Sequence, residues 1–173
     1  MVPADISEHP LDGETPADFA ERAARDKVLA VAVSRTQDIV LGADTVVELG
    51  GRILGKPKTP AEAVEMLNRL SGATHAVHTG LALAARRRCS SLVDTTKVRF
   101  APLSREQAAW YAATGEPMDK AGAYAIQEIG GLFVAGITGS PHTVVGLPIH
   151  RLPELFETLG LRFWERLSPR VVI

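Results

Sequence analysis

The chain of 173 residues predicts an α/β fold with a mixed central sheet flanked by helices. Segments of strand length alternate with segments whose apolar residues recur at helical spacing. At least two pairs of strand-like segments are joined as hairpins, which excludes a purely parallel sheet. Hydrophobic residues make up 46% of the chain and aromatics only 5%, so Ala, Val, Leu and Ile must build the core. No repeat, low-complexity tract or linker divides 1–173, and 160–173 follows the last helix as a C-terminal tail.

The first helix starts at Thr15-Pro16-Ala17-Asp18, with a capping Thr, Pro in the first turn and an acid behind it. Phe19, Ala20, Ala23, Ala24, Lys27, Val28 and Val31 then follow at helical spacing. Ile39 to Leu49 reads as a strand, folded by Gly50-Gly51 onto Arg52-Ile53-Leu54. Thr59-Pro60-Ala61-Glu62 is a capping box, with Ala63, Met66, Leu67 and Leu70 as the buried face and Gly72 as the stop. Two strands, Thr74–Ala85 and Leu92–Ala101, are joined through Arg86-Arg87-Arg88. Ser104-Arg105-Glu106-Gln107 caps a helix that reaches Thr114. A loop at 115–120, a short element at 121–126, a strand at 132–137, a break at Gly139-Ser140-Pro141 and a helix over 150–159 complete the pattern.

A net charge of −1 argues against broad electrostatic binding to nucleic acid or an anionic membrane. The arginine run is expected to be a solvated turn. Cys89 is the only cysteine, so no intrachain disulfide can form, as suits a reducing compartment. No apolar run approaches the roughly 18 residues of a membrane span. A cytoplasmic protein is expected.

Asp44 carries the first chemical signal. It follows the apolar run Ile39-Val40-Leu41-Gly42-Ala43, Thr45 adds a hydroxyl, and the hairpin returns Lys56 twelve residues later to the same sheet edge. A carboxylate there can bind Mg²⁺ or take a proton from water, and an ammonium neutralises phosphate charge. Lys27 sits on or beside the apolar stripe, where a lysine commonly lays its stem along the helix. Glu8, before the first helix, has the character of a solvated loop acid. His75 and His78 lie three apart on a strand and so point to opposite faces. No Walker loop, dinucleotide fingerprint, nucleophile elbow or paired-histidine zinc helix is present. The chain opens at Met1-Val2-Pro3 with no strand or glycine-rich loop ahead of its first helix, so a phosphate-binding arm is expected to be missing. The residues alone reach an acid–lysine phosphate site and no further.

Taken together, the segments Val2-Pro3-Ala4-Asp5-Ile6-Ser7-Glu8, Ala24-Arg25-Asp26-Lys27, Gly42-Ala43-Asp44-Thr45, Gly55-Lys56-Pro57, Leu70-Ser71-Gly72, His78-Thr79-Gly80, Thr96-Lys97-Val98-Arg99-Phe100, the run from Gly115 to Gln127, and Val144-Val145-Gly146-Leu147-Pro148 occur in one order. In that order the chain resembles the Maf family of nucleoside triphosphate pyrophosphatases, with the inosine-triphosphatase-like fold. The resemblance implies hydrolysis of a nucleoside triphosphate to monophosphate and pyrophosphate, in house-cleaning of nucleotide pools, with divalent Mg or Mn. It implies Asp44 as general base and metal ligand, Glu8 as a metal carboxylate, and Lys27 and Lys56 on the phosphates. Lys120, Thr45 and Gln127 would contact substrate, and the context Ala123-Tyr124-Ala125-Ile126-Gln127 resembles the dTTP/UTP branch. A homodimer is implied too. The family's opening strand, Ser-x-Ser-Pro-Arg-Arg loop and helix have no counterpart ahead of Val2-Pro3, which leaves a catalytically impaired, nucleotide-binding or protein-interaction module as the alternative expectation.

Overall fold

The computed structural model describes residues 9–166. Helix α1 (Pro16–Ala32) is followed by β1 (Val40–Leu49), β2 (Arg52–Leu54), α2 (Pro60–Leu70), β3 (Thr74–Ala85) and β4 (Arg88–Phe100). Helix α3 (Arg105–Ala113) leads into a run of short 3₁₀ turns, then β5 (Val134–Thr138), α4 (Pro141–Val145), α5 (Leu152–Thr158) and α6 (Phe163–Arg166).

The strands form one sheet in the order β2-β1-β3-β4-β5. The helix-flanked α/β architecture is as expected, but each neighbouring pair among the described residues is antiparallel rather than mixed. The cause lies in α2, which carries the chain back so that β3 enters beside the end of β1, with Ala76 opposite Glu48 and Ala84 opposite Val40. The β1–β2 hairpin turns on Gly50 and Gly51, at φ +59° and +79°, values that an L side chain rarely takes. The β3–β4 hairpin is equally tight, yet Arg86 and Arg87 take the left-handed positions at +52° and +62°. Because no Gly or Asn marks that turn, β4 begins at Arg88, four residues ahead of its expected start.

Helix ends follow their caps. Thr15 accepts from Asp18 N, and Ser104 and Gln107 form a complete capping box. At α2, Thr59 accepts from Glu62 N, but the Glu62 carboxylate takes the N–H of Lys58 in place of the reciprocal bond to Thr59. The break at Gly139-Ser140-Pro141 opens the short helix α4, capped by Ser140, which periodicity does not reveal.

Two layers cover the sheet. Helix α1 packs Phe19, Ala20 and Ala23 with Val46, and Ala24 and Val28 with Ala82 and Ala84. The approach is very close: a Cβ at Gly80 would lie 2.1 Å from Ala20 O, and one at Gly42 would lie 2.6 Å from Val28 Cγ2. On the other face Val47, Val77, Val98, Phe100, Leu67 and Tyr111 belong to the main core, and Leu81 and Leu83 share a second cluster with Leu155, Leu159 and Leu161. Leu161 is buried there although it lies beyond the last helix expected from the sequence.

Candidate active site

β1 is paired on both sides only at its end. Val47, Glu48 and Leu49 face β2, while 40–46 pair with β3 alone among the described residues. A cavity of about 320 Å³ opens along this edge, lined by Asp44, Thr45, Lys56, Lys120 and Gln127 among others. Strand alternation sends Asp44 to the α1 face and Thr45 to the opposite face, so the edge gives access to both.

On the α1 face, Lys27 Nζ donates to Asp44 Oδ1 at 2.6 Å. Lys27 therefore crosses from helix to strand and does not lay its stem along the helix. The glycine at 80, directly opposite Asp44 in the register, allows α1 to sit close enough for this contact. Both side chains are mostly shielded, at 26% and 17% exposure, so the pair is less screened than a surface ion pair.

On the other face Thr45 Oγ1 lies 2.9 Å from Thr79 Oγ1, which donates to the Thr143 carbonyl at 2.6 Å. Tyr124 lines the cavity and its hydroxyl meets His75 Nε2 at 2.8 Å. Burial alone drives the His75 pKa down to about 4, so the ring is neutral at pH 7. His75 Nδ1 has no hydrogen-bond partner among the described residues. His78 lies on the α1 face against Thr95 and Glu48, so the two histidines are separated by the sheet as the spacing predicts.

Lys56 and Lys120 reach the rim on separate loops tied by a backbone bond from Gly122 N to Gly55 O at 3.0 Å. Lys120 donates to Asp119 at 2.7 Å, and this bond raises the lysine's pKa and lowers that of the acid. Glu116 anchors the same loop, accepting from the Tyr111 hydroxyl at 2.6 Å and from the amides of Ile129 and Gly130. Burial would raise the Glu116 pKa, but these bonds outweigh it and hold the carboxyl below its usual range.

The structure thus assembles Asp44, Thr45, Lys56, Lys120 and Gln127 around one cavity, with Lys27 on Asp44. Glu8 lies outside the described residues. No group of three His, Cys, Asp or Glu side chains that could cage a metal ion exists among the described residues. Thr143, Asp94 and Arg151, which back Thr45, carry no sequence signal. Thr79 stands inside His78-Thr79-Gly80 without a role until the strand register places it against Thr45.

The profile of the Maf-like protein family matches residues 1–159. The chain belongs to this family. Among curated relatives of this Maf-like chain, the dTTP/UTP pyrophosphatase of Myxococcus xanthus is 51% identical over 158 residues, covering 91% of the chain and 80% of the relative. The dTTP/UTP pyrophosphatase of Symbiobacterium thermophilum is 49% identical over 156 residues, covering 90% and 80%. That of Geobacter sulfurreducens is 48% identical over 161 residues, covering 91% and 83%. Within the described residues no helix is long and apolar enough to cross a membrane.

Proposed function

We propose that this Maf-like protein hydrolyses dTTP and UTP to the monophosphate and pyrophosphate, removing nucleotides from cellular pools. The observation that carries the reading is Asp44, held at the open edge of β1 by Lys27, in a cavity that Lys56, Lys120 and Gln127 share. Relatives at about half identity are dTTP/UTP pyrophosphatases, which supports the choice of substrate.

In this reading Asp44 accepts a proton from water as the water oxygen attacks the α-phosphorus. The bond from that phosphorus to the α–β bridging oxygen breaks, and the electron pair leaves with pyrophosphate. Lys27 keeps the Asp44 carboxylate oriented, while Lys56 and Lys120 offset charge that grows on the departing phosphates. Gln127 and Thr45 hold the base. Asp44, a shielded carboxylate on the cavity, is a residue that would hold a divalent Mg or Mn ion together with the substrate phosphates, since Mg²⁺ commonly uses one or two carboxylates plus phosphates. Glu8, the second carboxylate that the family resemblance implies, lies outside the described residues. When bound, such an ion would supply further neutralisation of the triphosphate.

The test is product analysis with dTTP, UTP, ATP and GTP in Mg²⁺ or Mn²⁺. Pyrophosphate as first product, released faster from dTTP and UTP, is expected. Orthophosphate as first product, or a preference for purines, would overturn the reading.

A further inference from the structure

Thr45, Thr79 and Asp94 occupy one register row across β1, β3 and β4, with Thr79 opposite both of the others. The row lies on the face away from α1 and is closed by α4. Thr79 Oγ1 has a single proton, and the Thr143 carbonyl at 2.6 Å can only accept it. The 2.9 Å contact between Thr79 Oγ1 and Thr45 Oγ1 therefore runs in one direction, with Thr45 donating. In any other arrangement two sets of lone pairs would face each other at that distance.

The direction is fixed from behind. The Thr143 hydroxyl donates to Asp94 Oδ2, and Arg151 Nη1 donates to Asp94 Oδ1 at 3.0 Å. Thr79 and Thr143 are fully buried, so water cannot supply another partner. Helix α4 is thereby pinned with its Thr143 carbonyl over Thr79. Thr45, with its proton committed inward, has only lone pairs to offer the cavity.

We propose that Thr79 is a positioning residue that fixes Thr45 as a hydrogen-bond acceptor toward the ligand, so that the site selects a pyrimidine bearing N3–H, thymine or uracil, over cytosine. The inference rests on the reading of the cavity as a nucleotide site. Thymine and uracil carry a donor at N3, which an acceptor-only Thr45 satisfies. Cytosine has a bare lone pair at N3, which would face the lone pairs of Thr45. Gln127, whose amide both donates and accepts, cannot make that distinction alone, because it can rotate to match either base.

The experiment measures kcat/KM by pyrophosphate release for dTTP, dCTP and N3-methyl-dTTP. It uses wild-type protein, Thr79→Val and Thr79→Ser. Wild type should prefer dTTP to both other substrates. Thr79→Val frees the Thr45 proton to point either way, so the dTTP to dCTP ratio should fall about tenfold, the scale of one net hydrogen bond. The loss should appear in KM for dTTP, with kcat on dCTP retained, and Thr79→Ser should restore the ratio. An unchanged ratio in a Thr79→Val protein that melts as wild type does would overturn the proposal. So would wild-type turnover of N3-methyl-dTTP equal to that of dTTP, a result that does not depend on the variant folding. If wild type releases no pyrophosphate from dTTP, the hydrolase reading fails. Calorimetric binding of dTMP against dCMP and N3-methyl-dTMP then still decides the acceptor role, with equal affinities overturning it.

Discussion

The two faces of β1 meet at adjacent residues and differ in kind. Asp44 looks toward α1 and is engaged by a charged partner, Lys27, seventeen residues away in sequence. Thr45 looks the other way and meets a neutral hydroxyl, that of Thr79, 34 positions on, which in turn donates to the Thr143 carbonyl. In the proposed function the Asp44 face serves proton transfer and the Thr45 face serves discrimination of the base. Placing both on consecutive residues of a strand edge makes the separation a consequence of the two-residue period, with no added loop or domain.

Breaking the charged face should have the largest effect. Asp44→Asn removes the proposed proton acceptor and should lower kcat at least about 100-fold while leaving the melting temperature near wild type. Steady-state rates with dTTP and a thermal melt check this. Near-normal turnover would remove Asp44 from the chemistry.

Gly80→Ala attacks the same face through packing. The added Cβ would meet the Ala20 carbonyl, so α1 must retreat and Lys27 with it. A stability loss of about 1–3 kcal/mol is expected, together with a fall in rate larger than the same destabilisation produces elsewhere. The control is Val98→Ala, a truncation in the main core on the sheet face away from Lys27. Equal rate losses at matched stability would contradict the role of the close approach.

The opposite face should respond to acid through His75. Its pKa of about 4 lies below the ordinary 6.5, so between these values the unfolded chain binds a proton that the fold excludes. Stability from this group is complete above pH 6.5 and falls as the pH drops toward 4. The slope should approach about 1.4 kcal/mol per pH unit within that window. Denaturant unfolding at several pH values should show a shallower slope for His75→Gln. An identical slope would mean that His75 titrates normally.

The smallest effect concerns the distal hairpin. Arg86 and Arg87 occupy left-handed positions that Asn-Gly takes at lower cost. Replacing them by Arg86→Asn and Arg87→Gly should raise stability by about 1 kcal/mol with unchanged kinetics. A fall in activity would show that the turn takes part in function.

Much of this architecture is legible in the residues themselves. The caps at Thr15, Thr59 and Ser104 mark three helix starts, since side-chain bonds to orphan amides act locally. Asp44 and Lys56 can be joined because the Gly50-Gly51 hairpin connecting them is short. What cannot be read depends on distance in sequence. The Lys27–Asp44 pair requires the glycine gap beneath α1, and the Thr45–Thr79–Asp94 row requires the register of three strands. The antiparallel sense of the sheet is hidden because alternating helices and strands allow either return. The arginine turn stands where it is expected, but β4 starts at Arg88 rather than Leu92, because the turn's backbone adopts a glycine-like shape without a glycine to mark it.

The division of labour across β1 is tested most directly by one kinetic comparison: kcat/KM for dTTP and dCTP in wild type, Asp44→Asn and Thr45→Val. Asp44→Asn should depress both substrates together and leave their ratio intact. Thr45→Val should collapse the ratio while the rate on dCTP stays near its wild-type value. A changed ratio in Asp44→Asn, with an unchanged one in Thr45→Val, would contradict the assignment of chemistry and recognition to opposite faces.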